Sequence, residues 1–307
     1  MVQETSVKEK VIIIAGPTAS GKTGYSVEVA KAINGEIISA DSMQIYKYFD
    51  IGSAKVTEQE MQGVVHHMLS FCDLNSEFSV SEFTDKVREK ITEINNRGKI
   101  PVIVGGTGLF IQSLLYPYSF SGAAKDESIR QKYRDLASEY GNEYVYNLLK
   151  ERDSERASKL HPNDSKRVIR ALEVLDLGGN QNVEEFNEES PYDFTFLCLN
   201  MPREVLYERI NLRVDIMMKD GLLDEIKSLI DMGAKWDSQA MQGIGYKEWK
   251  PYFDGNATIQ EVSEKIKQNT RNYAKRQLTW FRHRKNVKWV DVEDKQRVLQ
   301  EIIEKVK

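Results

Sequence analysis

Eight consecutive residues near the start of the chain have the types and spacing of a phosphate-binding loop. They match the pattern G-x-x-x-x-G-K-[ST], and the run is Gly16-Pro17-Thr18-Ala19-Ser20-Gly21-Lys22-Thr23. In such a loop the backbone N–H groups converge on phosphate oxygens, the lysine adds a positive charge, and the hydroxyl binds Mg²⁺. The sequence therefore predicts a site for a phosphorylated ligand, with Thr23 as a candidate magnesium ligand. The motif specifies a phosphate and not a reaction.

The residues on both sides of this loop predict the strand and the helix that the motif requires. Residues 11–15 are apolar throughout, which is typical of a parallel strand buried on both faces, and residues 25–33 predict a helix. A second strand is predicted from Gly35 onwards, then a helix at 81–96 and a third strand at 100–104. This β-α-β-α-β-α order is that of the P-loop kinases. We therefore predict an α/β fold, with a parallel sheet flanked by helices.

The pattern becomes purely helical between residues 116 and 191. Helices are predicted at 126–140, 143–152 and 163–177, with no convincing strand among them, and a strand pattern returns at 194–199. We interpret the middle segment as an all-helical insertion domain. The predicted parts are the first part of the α/β core at 1–115, the insertion at 116–191, and the rest of the core with a basic C-terminal helical region at 192–307.

Composition is that of an ordinary soluble protein. The chain has 307 residues, of which 40% are hydrophobic and 29% are charged, and its formal net charge is −4. No apolar run is long enough for a membrane helix, and the first residues do not resemble a signal peptide. We expect a cytoplasmic monomer with no membrane partner.

The cysteines and the neighbouring histidines do not suggest a zinc site. Cys72 and Cys198 are far apart and lack the Cys-x-x-Cys spacing, so neither a disulfide framework nor a zinc site is indicated. His66 and His67 are adjacent in a predicted loop, and in a regular element their side chains would point apart. We expect structural or substrate-loop roles for both histidines.

Asp41 is the acidic residue best placed to act beside the loop. It follows the predicted second strand, and ligands of open α/β sheets bind at the carboxyl ends of the strands. The third strand ends in glycines and Thr107, without the acidic residue that nucleotide-hydrolysing P-loop proteins use for Mg²⁺. Asp41 is therefore a candidate general base, or a magnesium contact through water. The alternative is that Asp41 caps a helix that begins at Ser42.

Two arginines on a later predicted helix are candidates for a phosphate clamp. Arg209 and Arg213 are four residues apart, so they share one helical face. The planar guanidinium group suits this role because it binds two phosphate oxygens at once. The alternative is a solvated basic face.

The last part of the chain contains a basic run without any carboxylate. Residues 265–285 interleave Tyr273, Trp280 and Phe281 with cations and contain no Asp or Glu. Cations for phosphates and aromatic rings for bases are what single-stranded RNA recognition needs. A second basic cluster lies in the predicted insertion and comprises Lys166, Arg167 and Arg170, with Arg130 upstream. The alternative is that these are basic helix faces that pair with the acidic remainder of the protein.

Taken together, these segments resemble the bacterial tRNA dimethylallyltransferase family, also called tRNA isopentenyltransferases. The resemblance covers essentially the whole chain, and it depends on the order and spacing of six segments: 16–23, 39–46, 50–55, 105–108, 166–170 and 275–282. It implies transfer of a dimethylallyl group from dimethylallyl diphosphate to the exocyclic amine of the adenosine 3′-adjacent to the anticodon in tRNA.

The resemblance also implies a role for each candidate residue. The loop from Gly16 to Thr23, with Arg209 and Arg213, would bind the diphosphate, and Lys22, Thr23 and Arg213 would stabilise its departure. Asp41 would take the proton from the adenine amine, and Mg²⁺ would bind Thr23, the diphosphate and, through water, Asp41. The implied contacts to the tRNA anticodon stem-loop are Asp41, Ser42, Met43, Gln44, Thr107, Arg130, Lys166, Arg167, Arg170, Arg271, Lys275, Arg276, Trp280 and Arg282.

Other readings of the same motifs remain open at this point. An ATP-binding nucleoside or nucleotide kinase would use the same loop, and a non-catalytic RNA-binding protein would use the same basic segments. The adenylate isopentenyltransferases share the early motifs but do not need the insertion. Met43 and Lys47 stand where many members of the family carry arginine, which reduces the basic character near the target base.

Overall fold

Six strands form one parallel sheet in the computed structural model, which describes residues 8–116, 125–178 and 189–306. The order across the sheet is β3-β2-β4-β1-β5-β6, and each pairing is parallel. The predicted α/β fold is confirmed. In chain order the strands are β1 (Glu9–Ala15), β2 (Gly35–Ser39), β3 (His66–His67), β4 (Ile100–Gly105), β5 (Tyr192–Asn200) and β6 (Val287–Asp291).

Helices and loops connect these strands. The helix after the phosphate-binding loop begins at Lys22 rather than at residue 25, so the loop runs directly into it. In chain order the helices are α1 (Lys22–Ala32), α2 (Glu58–Met61), α3 (Val80–Asn96), α4 (Gly108–Leu115), α5 (Glu127–Tyr140), α6 (Asn142–Arg152), α7 (Ser154–Ser158), α8 (Ser165–Asp176), α9 (Arg203–Lys219), α10 (Leu222–Asp231), α11 (Lys250–Phe253), α12 (Ile259–Arg282) and α13 (Lys295–Val306).

By its internal contacts the chain divides into two compact units. One comprises Met1–Leu115 and Ser190–Lys307, and the other comprises Tyr116–Glu189. All the strands described above belong to the first unit. Within residues 125–178 the second unit contains α5 to α8 and no strand, and its core is formed by Tyr133, Leu149, Val168 and Leu172.

β1 is central because it pairs with a strand on each edge and is covered on each face. Ile13 lies opposite Ile103 of β4 and Phe196 of β5, and it has no exposed surface. Residues of α1 and α13 share one core cluster with Ile12 and Ile14, and α3 packs against β1 and β4. A strand in this position buries both of its faces, which explains why it is apolar at every position after its first two residues.

β3 is the strand that the sequence pattern did not predict. His66 and His67, placed in a loop by the sequence analysis, pair in parallel with Ile37 and Ile38 of β2. Two residues are too few to show a period-2 pattern, so local sequence cannot reveal such a strand. The His67 side chain has a structural role here, since its Nε2 lies 2.7 Å from Glu36 Oε2. His66 lines a small cavity beside Thr23 and Asp41, so its role stays a prediction.

Glu36 in β2 is a buried carboxylate surrounded by groups that donate hydrogen bonds. Its partners are Lys99 Nζ at 2.8 Å, His67 Nε2 at 2.7 Å and Arg97 Nη2 at 2.7 Å. Burial raises the pKa of Glu36, but hydrogen bonds from Lys99, His67 and Arg97 outweigh it and lower the pKa to about 2. The cluster fixes the β2 edge to β3 and to the segment that leads into β4.

Replacing this carboxylate should destabilise the fold in a pH-dependent way. We expect Glu36→Gln to lower the free energy of unfolding by about 1–3 kcal/mol at neutral pH, because three partly exposed donors lose their buried, charged acceptor. The folded-state pKa is about 2 against an ordinary value of 4.5, so the contribution is complete above pH 4.5 and is lost as the pH falls towards 2. Urea unfolding between pH 7 and pH 3 measures it. Glu89→Gln, at an exposed position of α3, is the control. A stability difference that stays constant over this pH range would contradict the assignment.

Candidate active site

The phosphate-binding loop connects β1 to α1 at the carboxyl end of the sheet. Gly16 has a φ of 146°, and a Cβ at this position would lie 3.1 Å from the Leu199 carbonyl oxygen. A larger residue would therefore push the loop away from β5. The predicted strand, loop and helix are present in the expected order, and Lys22 is the first residue of α1.

Lys22 is half-buried and folds back over its own loop. Its Nζ donates hydrogen bonds to the carbonyl oxygens of Gly16, at 3.0 Å, and Pro17, at 2.8 Å. Burial and the charge of Arg213 lower the pKa of Lys22 to about 8, although Asp41 and Cys198 act in the opposite direction. Both of these hydrogen-bond acceptors are neutral, and a bound phosphate would give the ammonium group an anionic one.

α9 brings the two predicted clamp arginines to the loop in different ways. Arg213 Nη1 lies 3.5 Å from Thr18 Oγ1 and faces the cavity beside the loop. Burial and the nearby Arg209 lower the pKa of Arg213. Arg209 is more exposed, and its guanidinium group lies on the side of Gly21. The structure thus places both arginines at the loop, while their contacts to a ligand remain a prediction.

A cavity of about 370 Å³ adjoins the loop in the larger unit. A smaller cavity of about 50 Å³ shares Lys22, Thr23, Asp41 and Gln44 with it. The main cavity is lined by residues of the loop, of the segment after β2, of α9 and of α12, among them Thr18 to Thr23, Asp41 to Gln44, Gly106, Arg213, Gln239, Gly243 to Gly245, Tyr273 and Gln277.

Asp41 lines this cavity close to the end of β2. Its Oδ1 accepts a hydrogen bond of 2.8 Å from the Met43 N–H, and residues 42–45 form a turn. No helix begins at Ser42, so Asp41 does not cap a helix. Its hydrogen bond to the backbone stabilises this turn instead. In the part of the chain that the structure describes, Asp41 Oδ2 accepts no hydrogen bond. One carboxylate oxygen is therefore fixed by the backbone and the other is available to a ligand.

The segment after Asp41 is held in place by Thr107 and by Ala54. Thr107 Oγ1 accepts a hydrogen bond of 3.3 Å from the Ser42 N–H. Gln44 accepts a bond of 3.1 Å from Ser39 Oγ and donates one of 3.1 Å to the Ala54 carbonyl oxygen. These contacts position the residues that the resemblance assigns to the target adenine, but they do not test that role.

Two side chains of α12 belong to the cavity, although the sequence analysis did not assign them to it. Gln277 Oε1 accepts a hydrogen bond of 2.9 Å from the Thr18 N–H, and its Nε2 donates one of 3.0 Å to the Gly106 carbonyl oxygen. Burial and the charge of Asp41 raise the pKa of Tyr273 to about 12, so this phenol stays neutral. The spacing of Tyr273, Gln277 and Phe281 at every fourth residue was the available signal for an inward face.

Residues 243–245 also line the cavity, although the sequence analysis did not assign them to it. A Cβ on Gly243 would lie 2.7 Å from Met43 Sδ, so this backbone packs closely against the segment after Asp41. The neighbouring Tyr246 packs on Gly52, where a Cβ would lie 2.5 Å from its ring. The pair of closely spaced glycines was the signal for such close approach.

One of the three aromatic residues that the sequence analysis expected to stack on RNA bases is buried in the core. Phe281 is 1% exposed and packs edge-on against Phe196, so the expectation is wrong for this residue. Trp280 packs against Gly108, where a Cβ would lie 2.2 Å from the indole ring. A stacking role for Trp280 stays a prediction.

The cations of α12 differ in their contacts with other side chains and in their exposure to solvent. Arg271 Nη1 donates a hydrogen bond of 2.6 Å to Asn211 Oδ1, and Arg276 lies over the Tyr273 ring at 5.7 Å. Lys275, Arg276 and Arg282 are exposed. Their contacts to RNA stay a prediction, for which their exposure is a necessary condition.

In the second unit, two of the predicted RNA-binding arginines have a structural partner. Arg130 and Arg170 both form ion pairs with Glu173, whose side chain has no exposed surface, at 2.9 Å and 2.6 Å. Lys166 and Arg167 are exposed, and Arg167 lies 3.3 Å from Asp164. The i,i+3 spacing was an available signal for the Arg170–Glu173 pair, but sequence alone does not show the pairing of Arg130 with Glu173. The role of all four residues in RNA binding stays a prediction.

Neither a cluster of candidate metal ligands nor a candidate membrane-spanning helix is found among the described residues. Over residues 8–116, 125–178 and 189–306, no three His, Cys, Asp or Glu side chains converge as metal ligands. Among the helices described, none combines the length and the apolar character needed to cross a bilayer. Cys72 and Cys198 are buried free thiols, and burial raises the pKa of Cys198 to about 12.

Comparison with known proteins identifies the family. The family model described as IPP transferase matches residues 44–284. The chain is 50% identical over 290 residues to the tRNA dimethylallyltransferases of Bacillus subtilis (strain 168) and Bacillus anthracis, which covers 94% of this chain and 92% of each relative. The crystal structure of the full-length tRNA isopentenylpyrophosphate transferase from Bacillus halodurans matches with a TM-score of 0.74 and 43% identity, covering 97% of each chain. A eukaryotic dimethylallyltransferase acting on tRNA matches with a TM-score of 0.75 and 30% identity, covering 95% of this chain and 78% of that one. The resemblance predicted from the motifs is confirmed, and the chain belongs to the tRNA dimethylallyltransferase family.

Proposed function

We propose that this protein transfers the dimethylallyl group of dimethylallyl diphosphate to the exocyclic amine of the adenosine 3′-adjacent to the anticodon in tRNA. The observation that carries this proposal is one cavity lined by the phosphate-binding loop, by Arg213 and by Asp41. Cations for a leaving group and a carboxylate for an attacking amine thus share the same space. Family membership disfavours the kinase and the non-catalytic RNA-binding alternatives.

The diphosphate would be bound by the loop and stabilised as it leaves. Backbone N–H groups at the start of α1, the Lys22 ammonium and the Arg213 guanidinium all present positive charge to this position. Charge grows on the bridging oxygen as the carbon–oxygen bond breaks, and fixed cations stabilise that charge without reorganising. We assign this contribution to Lys22 and Arg213 through their own charges, and to Thr23 as a residue that would hold Mg²⁺.

Asp41 would act on the acceptor. The adenine amine forms its bond to the allylic carbon as the diphosphate leaves with the electron pair of the broken bond, and the amine proton passes to Asp41. Asp41 Oδ1 is held by the Met43 N–H, so the carboxylate keeps one orientation. Pyrophosphate and prenylated RNA are the products.

Thr23 and Asp41 are the residues that would hold Mg²⁺. Both line the main and the smaller cavity, and both offer the oxygen ligands that this ion prefers. Mg²⁺ usually keeps several waters and binds substrate phosphates in addition to one or two protein groups, so this small donor set fits. When bound, the ion would neutralise part of the diphosphate charge.

The RNA has to present its base in an unstacked form. While the adenine is stacked in the anticodon loop, its amine does not reach the cavity that contains Asp41. The adenosine would therefore be flipped into the cavity. Lys275, Arg276 and Arg282 of α12, and Lys166 and Arg167 of α8, are the exposed cations that we assign to the phosphates of the anticodon stem-loop. Asp41 to Gln44 and Thr107 would border the base.

Competition between acceptors tests the function directly. We expect the protein, with dimethylallyl diphosphate and Mg²⁺, to prenylate an anticodon stem-loop RNA and to leave free AMP unmodified, because AMP lacks the phosphates that the exposed cations would bind. Mass spectrometry of digested RNA and of AMP measures both products. Prenylation of AMP alone, or phosphoryl transfer from ATP to a small acceptor, would contradict the proposal.

Asp41→Asn should separate binding from chemistry. Asparagine keeps an oxygen for the Met43 N–H but accepts no proton, so we expect transfer to slow by about 10²–10⁴-fold while pyrophosphate and RNA still bind. Single-turnover transfer and equilibrium binding measure the two effects. Asp73→Asn is the control, since Asp73 is an exposed carboxylate paired with Lys47. Near-normal transfer by Asp41→Asn would remove Asp41 as the base.

Pyrophosphate binding should take up a proton at Lys22. The pKa of Lys22 is lowered to about 8 in the free protein, and a bound anion raises this pKa. Pyrophosphate affinity is therefore highest below pH 8, and it falls as the pH rises from 8 through the higher pKa of the complex. Calorimetry in buffers of different ionisation enthalpy counts the protons. In Lys22→Arg the guanidinium stays charged, so the uptake near pH 8 should fall to that of pyrophosphate itself. Equal uptake in both proteins would contradict the assignment.

A further inference from the structure

Two cations from different elements face the outer side of the phosphate-binding loop. A Cβ built on Gly21 would lie 3.6 Å from Arg209 Nη2 of α9 and 3.6 Å from Lys295 Nζ at the start of α13. Gly21 has a φ of +85° and no side chain, so nothing from this residue separates the two cations from the loop backbone. Lys295 is distant in sequence, and none of the phosphate-binding motifs includes it.

Neither cation is neutralised by a carboxylate within the described residues. Neither Arg209 nor Lys295 forms an ion pair there, and the Lys295 ammonium lies over the Tyr25 ring at 5.4 Å. The Tyr25 hydroxyl donates a hydrogen bond of 3.2 Å to the Lys295 carbonyl oxygen, which fixes the start of α13 against α1. Burial and the charge of Arg209 lower the pKa of Lys295, and Glu28 acts weakly in the opposite direction. Two neighbouring cations are thus held close together although they repel each other.

The positions of the two arginines on α9 indicate which part of a ligand would meet this pair. Arg213 lines the cavity that also contains Asp41, whereas Arg209, one turn earlier, lies at Gly21 with Lys295. The phosphoryl group bonded to the allylic carbon has to lie on the Asp41 side, where the acceptor enters. The other phosphoryl group is then directed away from Asp41, and it carries the larger share of the negative charge.

We propose that Lys295, together with Arg209, binds the terminal phosphoryl group of the diphosphate and that Lys295 is a substrate-binding residue. This inference rests on the proposed function, because it takes dimethylallyl diphosphate as the donor. Lys295 then raises affinity for the diphosphate and for the pyrophosphate product, and it has no part in RNA binding. A ligand with a single phosphoryl group gains nothing from it.

Lys295→Met tests the proposal, since methionine keeps an unbranched side chain over Tyr25 and removes the charge. We expect pyrophosphate affinity by calorimetry to fall by about tenfold, and the KM for dimethylallyl diphosphate to rise by a similar factor, with the KM for stem-loop RNA unchanged. Lys295→Arg should retain most of the affinity. Affinity for dimethylallyl monophosphate should be the same in wild type and Lys295→Met, which a merely structural loss would not produce.

Arg297→Met is the matched control on the same helix, because Arg297 is exposed and pairs with Asp294 and Glu301. Unchanged pyrophosphate affinity in a folded Lys295→Met protein would overturn the proposal, and so would an increase in the KM for RNA alone, which would assign Lys295 to the RNA backbone. Failure of the proposed function is separate, since it would appear as absence of prenyl transfer by the wild type.

Discussion

The constraint on which this site depends is the Lys22 ammonium group, which is largely removed from water and held near a second cation. Lys22 donates to two carbonyl oxygens of its own loop, and burial together with Arg213 lowers its pKa to about 8. Like charges held together in this way destabilise the free protein, and an anion of matching size relieves the repulsion. Functional sites often carry such a cost in stability. The loop is therefore arranged for a phosphate ligand before that ligand binds.

The rest of the larger unit serves to keep those charges together. β1 ends where the loop begins. It is paired with a strand on each edge and packed against helices, which fixes the position of the loop. Gln277 links α12 to the loop and to the end of β4 through two hydrogen bonds. Asp41 reaches the same cavity from β2. In the proposed reaction the same charges that would bind a phosphate stabilise the diphosphate as a leaving group, and carbon is transferred instead of phosphate.

The parts that sequence predicted are those whose signal is local. The loop has a fixed spacing, β1 is a continuous apolar run, and Asp41 follows a strand, so each could be placed without the fold. Gln277 and Lys295 could not be placed, because long-range packing brings them to the loop from 250 or more residues away in sequence. The pairing of Arg130 with buried Glu173 also depends on packing between helices, whereas Arg170 and Glu173 are three residues apart on α8, a spacing that sequence does show. Phe281 was misjudged because a cation-rich helix also needs an apolar face towards the core.

The central claim is that the loop holds the leaving group of a carbon transfer. It is tested most directly with dimethylallyl diphosphate that carries a heavy-oxygen label between the allylic carbon and the first phosphorus. The label is followed during reaction with an anticodon stem-loop RNA. Breaking of the carbon–oxygen bond predicts that all of the label appears in pyrophosphate and that the RNA gains the dimethylallyl group without it. Label recovered in dimethylallyl alcohol would show that a phosphorus–oxygen bond is broken, and it would contradict the account.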